Sequence, residues 1–583
     1  MLNGNRADGG HDYDVAICGG GLAGLTLARQ LRLQLPQASV AVVEKLPGPV
    51  PEAAFKVGES TTEAGSYYLA ETLQLREYLA KHHLFKLGLR FFFGNSRGAF
   101  HERPEFGLSD FPVVPSFQVD RGVLENDLRR FNAEAGVAML EGCLVRNIAL
   151  AKGEGRHVVA YQEEESGRAG RITARWVVDA TGRRRLLQRK LKLTKPLDRN
   201  FSAAWFRLQG RIDVGDLVPA EEAKWHGRVQ NGNRYFSTNH LVGRGYWVWV
   251  IPLSSDSTSI GIDALEDIHP FAEYSTYPAA MRWLARHEPA FATYIEGREP
   301  LDFLSMRNYS YSSRQVFSSD RWACVGEAGV FSDPLYSPGT DLIGIGNSMV
   351  TEMVRRDLAG TLTPDLVTNY SWSIISLNEA LTRNIQIGYP LFSNPVVTAA
   401  KIMWDTAAGW ALLSPQIFNS IFVDGEQNAS IRKAKAGYFL LAQMVHRLFV
   451  EWEAKSSQRG TFDFIDFLKV PLLLDLRQRN LRGGKGAAEL VDDHMFNMER
   501  IEELAQVIFL LAVEDVMPEC LAQFSSPLWL NAWGISLNRD KWQRDGLFQP
   551  TTEARDLTGM RQQIRGLFRF ADVDSRAMAV GHP

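Results

Sequence analysis

In the N-terminal part of the chain, the hydrophobic pattern predicts a strand, a glycine turn, a helix and a second strand, in that order. Residues 13–18 (YDVAIC) form a short run of strand-favouring residues that enters the glycine turn. Apolar residues then recur at helical spacing over 22–35, and a second strand-favouring run, 39–43, ends at Glu44. This order predicts the βαβ unit with which many α/β proteins bind a dinucleotide.

The rest of the chain divides into two patterns. A helix is predicted over 121–136, and from there to about residue 262 strand patterns dominate. Beyond about residue 342, long helical patterns continue to about residue 570. We predict an α/β protein in which residues 1–360 hold a discontinuous dinucleotide-binding lobe and a mixed β-sheet substrate lobe at about 190–310. Residues 361–583 are predicted to form a mostly helical region that covers the substrate site.

Composition narrows the possible classes. Hydrophobic residues make up 45% and charged residues 22%, which is typical of a globular protein. The net charge of −3 gives no reason to expect a nucleic-acid partner. Cys18, Cys143, Cys324 and Cys520 lie far apart, with neither a CxxC pair nor metal-ligand spacing. We find neither a transmembrane run nor a secretory signal in the sequence, and we expect a cytoplasmic protein without a metal.

The glycine turn carries the first candidate site. The sequence GGGLAG places GxGxxG at Gly19, Gly21 and Gly24, between the predicted strand and helix. Gly19 would permit the tight turn, Gly21 would let the backbone approach a pyrophosphate, and Gly24 would allow close packing of helix on strand. Glu44 is placed to accept hydrogen bonds from a ribose diol, and Lys45 beside it is included in the site. The competing interpretation is a glycine-rich turn in an unrelated α/β protein.

Two later segments favour FAD over NAD. VVDATGR at Val177–Arg183 resembles the strand and turn by which two-domain FAD proteins approach their cofactor a second time. VGEAG at Val325–Gly329 resembles their third FAD contact, with Glu327 where Asp is usual. The resemblance implies the two-domain FAD-binding fold of glutathione reductase and the aromatic hydroxylases. It also implies that five residues contact the cofactor: Asp179, Thr181, Gly182, Gly326 and Glu327.

Residues 12–350 resemble the flavin-dependent halogenases through four segments. These are KVGES at Lys56–Ser60, FKLGLRFFFG at Phe85–Gly94, WVWVIP at Trp247–Pro252 and FSDPLYSPG at Phe331–Gly339. In that family, reduced FAD and O2 convert a halide into hypohalous acid. The acid travels through the protein to a lysine beside the substrate, where it halogenates an electron-rich carbon.

The resemblance assigns roles to further residues. It implies that Lys86 is the halogen-transferring lysine and that Trp247 and Trp249 wall the passage between flavin and substrate. Ser337 is implied as a fourth catalytic residue, and Gly339 and Thr340 are implied as halide-binding. Additional cofactor-side residues are Lys56, Gly58, Glu59, Ser60, Arg121, Pro334 and Gly339.

Each of these roles has a plainer alternative. Lys86 could be a solvated lysine in a segment that also contains Lys81 and His82. The two tryptophans alternate along a strand and so share one face, which is equally typical of a core pair. The turn at 337–340 could be a tight Pro-Gly turn without a ligand.

The same comparison bears on the substrate. Tryptophan halogenases have a glutamate directly before the serine of the last segment, whereas this chain has Tyr336. This departure favours a phenol or pyrrole, which could be tethered to a carrier protein. Two other functions stay open, a FAD-dependent hydroxylase or epoxidase on the same fold, and a flavoprotein without oxygen chemistry.

The sequence shows no second dinucleotide fingerprint, so we predict that a separate flavin reductase supplies the reduced FAD. Mixing the FAD-loaded protein with NADH or NADPH without oxygen should therefore bleach the oxidised flavin absorbance only slowly. Addition of a flavin reductase should make the bleaching fast. Rapid reduction by NADPH alone would contradict the prediction.

Overall fold

The computed structural model describes residues 11–52, 56–94, 98–197, 200–458, 460–524, 530–549 and 555–571, without the side chains of His11 and residues 426–436. Residues 1–10, which belong to the polar N-terminal stretch where no secretory signal is predicted, lie outside the described residues. Among the described residues, none of the helices is both long and apolar enough to cross a bilayer.

The strands are, in chain order, β1 (His11–Cys18), β2 (Val40–Val43), β3 (Leu84–Phe85), β4 (Leu89–Phe92), β5 (Glu105–Gly107), β6 (Phe117–Gln118), β7 (Ala138–Leu140), β8 (Cys143–Ala149), β9 (His157–Glu163), β10 (Ala169–Asp179), β11 (Thr194–Pro196), β12 (Phe201–Gln209), β13 (Thr238–Gly243), β14 (Tyr246–Leu253), β15 (Ser257–Leu265), β16 (Pro300–Met306), β17 (Tyr311–Ser313), β18 (Phe317–Ser318), β19 (Trp322–Cys324), β20 (Gly460–Thr461), β21 (Phe464–Asp466) and β22 (Arg569–Phe570).

The α-helices are, in chain order, α1 (Leu22–Gln34), α2 (Glu63–Tyr67), α3 (Arg76–His82), α4 (Arg121–Glu134), α5 (Leu186–Lys190), α6 (Ala223–His226), α7 (Tyr277–His287), α8 (Pro289–Ile295), α9 (Gly339–Leu358), α10 (Pro364–Gly388), α11 (Pro395–Ala408), α12 (Ser414–Phe418), α13 (Gly425–Lys455), α14 (Pro471–Asn480), α15 (Ala487–Val516), α16 (Arg539–Arg544) and α17 (Thr558–Arg565).

The first sheet runs in the order β18-β19-β10-β1-β2-β7, and β9 and β8 extend from β10. Strands β19, β10, β1, β2 and β7 are parallel to their neighbours in this order. Cys18 lies opposite both Val43 and Asp179, and Asp179 lies opposite Cys324. The carboxyl ends of four strands therefore meet at one edge, which is where such sheets bind their ligands.

The second sheet runs in the order β16-β12-β15-β14-β13-β4-β5-β21 and is mainly antiparallel. Along β14, Trp247, Trp249 and Ile251 belong to the main hydrophobic core, while Val248 and Val250 belong to a second one. This alternation follows from the two-residue period of a strand whose two faces are both covered. It directs both tryptophans toward the first sheet.

The α/β class is confirmed, and the predicted elements agree closely with those observed. The helix predicted over 121–136 is α4, and the strand predicted over 39–43 is β2. The sequence pattern did not identify β4 and β5, which place the segment around Lys86 beside the second sheet. Strand β21, from the mostly helical C-terminal part, pairs with β5. The division at about residue 360 stays a prediction.

Candidate functional site

The glycine turn fits closely against the first sheet. Gly19 has φ +115°, and a Cβ added there would lie 2.3 Å from the Ala180 carbonyl oxygen. A Cβ at Gly24 would lie 2.0 Å from the Gly19 carbonyl oxygen. A Cβ at Gly21 would have no neighbour within 4 Å. Gly19 and Gly24 thus serve the packing of α1 on β1, whereas Gly21 leaves open space at the start of the helix, where backbone N–H groups favour an anion.

Two acidic candidates stabilise the turns around this edge. The Glu44 carboxylate accepts hydrogen bonds from the backbone N–H of Gly20 (2.6 Å) and of Leu46 (2.8 Å). Asp179 accepts hydrogen bonds from the backbone N–H and hydroxyl of Thr181 and from the Leu187 N–H. Burial raises the pKa of Asp179. Asp179 and Thr181 therefore fix the shape of the turn, while the side chain of Lys45 is exposed.

A central cavity extends from this edge to the second sheet. It contains about 1090 Å³ of non-atom space, part of which opens to solvent. The predicted site residues that line it are Gly58, Glu59, Ser60, Arg121, Trp247, Trp249, Gly326, Glu327, Pro334, Ser337, Gly339 and Thr340. Four predicted segments, far apart in sequence, are therefore brought together around one space.

The loop at 56–60 is held in this cavity wall by buried charges. Arg207 on β12 binds Glu59 at 2.5 Å and Asp302 at 2.6 Å, and all three side chains are buried. The Lys56 ammonium binds Glu125 on α4 at 2.5 Å. Glu59 and Lys56 are thus engaged with protein groups, and they contribute to the site by fixing the loop backbone.

Arg121 joins the same loop to α4. Its guanidinium donates to the Val57 carbonyl oxygen (2.8 Å) and to Glu125 (2.6 Å). Its Nε is buried without a hydrogen-bond partner among the described residues. Because a buried unpaired donor is costly, this group is suited to contact an acceptor on a bound cofactor.

Lys86 is buried, in contrast to its exposed neighbours Lys81 and His82. The Lys86 ammonium donates to the Ser60 hydroxyl (2.7 Å) and to the Thr61 carbonyl oxygen (2.7 Å). Burial lowers its pKa from 10.5 to about 8, although Glu63 and Asp341 act in the opposite direction. The interpretation of Lys86 as a solvated surface lysine is therefore wrong.

Ser60 connects Lys86 to the cavity. Its hydroxyl accepts a hydrogen bond from Ser337 (2.9 Å) and lies 2.8 Å from the Thr238 hydroxyl. Ser60, Ser337 and Thr238 all line the cavity, whereas Lys86 lies directly behind Ser60. The sequence placed Ser60 with the cofactor, but its hydroxyl is the junction between the cavity and the lysine.

Trp247 and Trp249 form part of the cavity wall. Their ring centroids are 5.4 Å apart, and both side chains are buried. Trp247 donates its indole N–H to the Tyr389 hydroxyl, and Trp249 donates to Ser259. A Cβ at Gly261 would lie 2.0 Å from the Trp249 ring, so this glycine on β15 makes room for the indole. The pair is thus both packed and cavity-lining.

The turn before α9 also lines the cavity. Ser337 has φ +60°, and its N–H donates to the Pro334 carbonyl oxygen at 2.8 Å. Gly339 and Thr340 are the first two residues of the 20-residue helix α9. Their backbone N–H groups are among those that a helix leaves without an internal partner. The turn therefore offers the cavity a site suited to an anion.

The remaining candidates follow the carboxyl ends of β10 and β19 in the first sheet. Gly182 and Gly326 adopt φ +57° and +56°, a conformation that favours glycine. Glu327 faces Gly182, since a Cβ there would lie 3.8 Å from the Glu327 carboxylate. Burial raises the pKa of Glu327.

Four titratable residues that line the cavity were not identified from the sequence: His240, Asp263, Tyr309 and Asp333. Burial lowers the pKa of His240 to about 3, so its imidazole is neutral. The two aspartates are separated by 70 positions in sequence, and only the pairing of strands and the following turn brings them together.

Tyr336, the residue that replaces the glutamate of tryptophan halogenases, points to the C-terminal helices. Its hydroxyl donates to Asp405 on α11 at 2.8 Å. Asp405 also binds the buried Lys401 at 2.5 Å. Position 336 thus joins the cavity turn to the helical region.

FAD fits the residues that surround the cavity. The open space at Gly21 and the unpaired Nε of Arg121 match an anionic, extended dinucleotide. A family model described as FAD binding domain matches residues 12–266. Flavin-dependent halogenase chlA of Dictyostelium discoideum is 27% identical over 386 residues, covering 60% of this chain and 60% of that protein. The chain is thus similar to a flavin-dependent halogenase over 60% of its length.

Other comparisons agree with this assignment. A 1H-pyrrole-2-carbonyl-(peptidyl-carrier protein) brominase of Pseudoalteromonas luteoviolacea (strain 2ta16) is 28% identical over 333 residues, covering 56% of this chain and 73% of the brominase. The crystal structure of halogenase PltM with phloroglucinol and FAD has a TM-score of 0.59 at 16% identity, covering 84% of this chain and 96% of that chain. The FAD-binding fold and the FAD cofactor are confirmed.

The two glycines of the turn provide a matched pair of variants. Gly24→Ala should destabilise the protein by about 1–3 kcal/mol, because its Cβ would meet the Gly19 carbonyl oxygen. Gly21→Ala should leave the fold intact and weaken FAD binding, because its Cβ enters the space of the ligand. Urea unfolding without FAD and FAD titration separate the two effects. Equal stability of both variants would contradict the assignment.

Proposed function

We propose that this protein is a flavin-dependent halogenase that uses reduced FAD, O2 and chloride or bromide to halogenate an electron-rich aromatic or pyrrole-like substrate. A separate flavin reductase would supply the reduced FAD, and the enzyme would act in the cytoplasm. The observation that carries the proposal is the hydrogen bond from the buried Lys86 ammonium to Ser60, a residue of the cavity wall. When bound and reduced, FAD supplies the electrons with which O2 is activated.

Lys86 has the properties that halogen transfer requires. Its ammonium can hold a hypohalous acid by donating a hydrogen bond. Its lowered pKa of about 8 also makes a neutral amine available near physiological pH, which a haloamine route requires. The hydroxyls of Ser60 and Ser337 lie between this amine and the cavity, and they can guide a small neutral oxidant.

The two tryptophans favour halogenation over direct oxygenation. Trp247 and Trp249 occupy the cavity wall with packed, hydrogen-bonded indoles. A substrate at Lys86 would be separated from the flavin, and only a small oxidant would pass from the flavin to the substrate. A hydroxylase or epoxidase needs the substrate carbon beside the flavin instead.

The halide would bind at the turn before α9. Gly339 and Thr340 line the cavity and begin the helix, so their N–H groups lack an internal helical partner. Ser337 holds the turn in place through its bond to Ser60. An anion held there would be close to Ser60, the cavity-wall residue whose hydroxyl accepts a hydrogen bond from Lys86.

The substrate is proposed to be a phenol or pyrrole tethered to a carrier protein. A surface groove of about 1030 Å³ is lined by His83–Lys86, Phe111–Val113, Pro115 and Phe236. Phe85 and Phe111 are partly exposed at this groove, and Val113 is 96% exposed. An open apolar groove suits an aromatic ring presented from outside. Two relatives in fact halogenate a pyrrole on a peptidyl-carrier protein, according to their names.

Lys86→Ala should retain FAD and oxygen consumption but form at least about 100-fold less halogenated product, since the loss of one preorganised active-site hydrogen-bond donor costs about that much. Lys81→Ala, in the same segment but exposed, is the matched control and should resemble the wild type. Product would be measured by mass spectrometry with reduced FAD, O2 and each halide in turn. Undiminished halogenation by the Lys86 variant would disprove the assignment of the lysine.

The same assay separates the alternative functions. A product that gains one oxygen atom independently of halide would indicate a hydroxylase or epoxidase. The absence of any oxygen-dependent product would indicate a flavoprotein without oxygen chemistry. Both the free acid and the carrier-bound form of a pyrrole should be tested, because the groove predicts a preference for the bound form.

A further inference from the structure

A pair of aspartates lies in the wall of the central cavity. Asp263 is on β15, directly opposite Trp247 on β14, and Asp333 precedes the turn that carries Ser337. Both aspartates are fully buried, and both line the cavity. None of the roles assigned above uses them.

Two tyrosines bridge the carboxylates. The Tyr309 hydroxyl lies 2.5 Å from Asp263 and 3.3 Å from Asp333. The Tyr389 hydroxyl lies 2.7 Å from Asp333 and 3.1 Å from Asp263, and it accepts the indole N–H of Trp247. Four oxygen–oxygen contacts are thus served by two phenolic protons. A third proton on one carboxyl group would give the short Asp263–Tyr309 contact a second possible donor.

The electrostatic surroundings of the two carboxyl groups also favour one proton on the pair. Within the described parts of the chain, neither Asp263 nor Asp333 forms an ion pair. The titratable groups that face them are Tyr309 and Tyr389 by hydrogen bond, with Tyr274 and Tyr336 at longer range. Two buried like charges without a cation cannot both persist at low cost. Burial raises the pKa of Asp333 to about 6, and burial together with Asp333 raises that of Asp263 well above its usual value.

We propose that Asp263 and Asp333 share one proton and form an acid–base pair that delivers a proton to the oxygen chemistry in the central cavity. This inference rests on the proposed function. Each halogenation consumes reduced flavin (FADH2), one O2, one halide, one substrate C–H and one proton. It yields oxidised flavin, the carbon–halogen product and two water molecules. The pair gives up the proton to an oxygen atom that leaves as water and is reprotonated from solvent.

The position of the pair suits this role better than that of His240 or Lys86. His240 also lines the cavity, but its pKa of about 3 leaves it without a proton to give. Lys86 lies behind Ser60, on the side where the oxidant is used. Asp263 lies opposite Trp247 on the neighbouring strand, and Asp333 directly precedes Pro334, which the sequence assigns to the cofactor.

The shared proton can be tested by infrared spectroscopy of the FAD-loaded, oxidised protein. The wild type should show a protonated carboxyl component from the pair at neutral pH, beside any absorbance from other buried carboxyls such as Asp179 and Glu327. Asp263→Asn and Asp333→Asn should each remove this component, because both phenols can then donate to the single remaining carboxylate. Asp357→Asn is the control, since the ion-paired Asp357 has a lowered pKa and its replacement should leave the protonated carboxyl absorbance unchanged. A wild-type-minus-variant difference spectrum without a protonated carboxyl band, for either cavity variant, would overturn the sharing.

The use of the proton is tested by single-turnover halogenation with pre-reduced enzyme. The wild-type rate should fall as the pH rises through the pKa of the pair, because the protonated form is the donor. Asp263→Asn and Asp333→Asn should lower the rate at neutral pH by at least about 10-fold and remove this pH dependence. An unchanged pH profile in both variants would overturn the role in proton delivery.

If the asparagine variants do not fold, Tyr309→Phe supplies the test. Removing a phenolic donor disfavours the ionised pair, so the pH profile should shift to higher pH at unchanged FAD content. A profile that does not shift would contradict the proposal. A wild type with the carboxyl band but no halogenated product would overturn the proposed function, and with it the use of the proton, while the shared proton itself would stand.

Discussion

The arrangement of this site depends on one buried cation, Arg207. It lies on a strand of the second sheet and binds Glu59 on one side and Asp302 on the other. Removing one member of such a group leaves an uncompensated buried charge, which is strongly destabilising. The loop that contains Glu59 is therefore fixed to the second sheet at the point where the cavity begins.

The fixed position of this loop determines the position of Lys86. The Glu59 carbonyl oxygen accepts the Val119 N–H, and the Thr61 N–H donates to the Phe117 carbonyl oxygen. Ser116, the residue before Phe117, accepts the backbone N–H of Lys86 with its carbonyl oxygen. The Lys86 ammonium donates to the Ser60 hydroxyl. The lysine is thus held against the outer side of the loop whose inner side forms the cavity wall. Fixing one loop therefore fixes the distance between Lys86 and the cavity.

The sequence allowed prediction of the parts of the site that depend on local pattern. A two-residue period was sufficient to place Trp247 and Trp249 on one face, and the spacing of Gly19, Gly21 and Gly24 was sufficient to locate the turn at the first sheet. The burial of Lys86 was suggested only by resemblance. The contacts of Ser60, Arg207 and Asp263 depend on which strands pair and on where a loop crosses them. Hydrophobic period does not contain that information.

The Tyr389 hydroxyl shows why the C-terminal region matters to the cavity. Tyr389 lies beyond residue 360, yet it bonds Asp263, Asp333 and the Trp247 indole. Tyr336 makes the reverse connection, from the cavity turn to Asp405 in the helices. A movement of the helical region would therefore change both the hydrogen bonds of the two aspartates and the position of a tryptophan in the wall. The chemistry of the cavity and the packing of the helices are consequently coupled through two phenols.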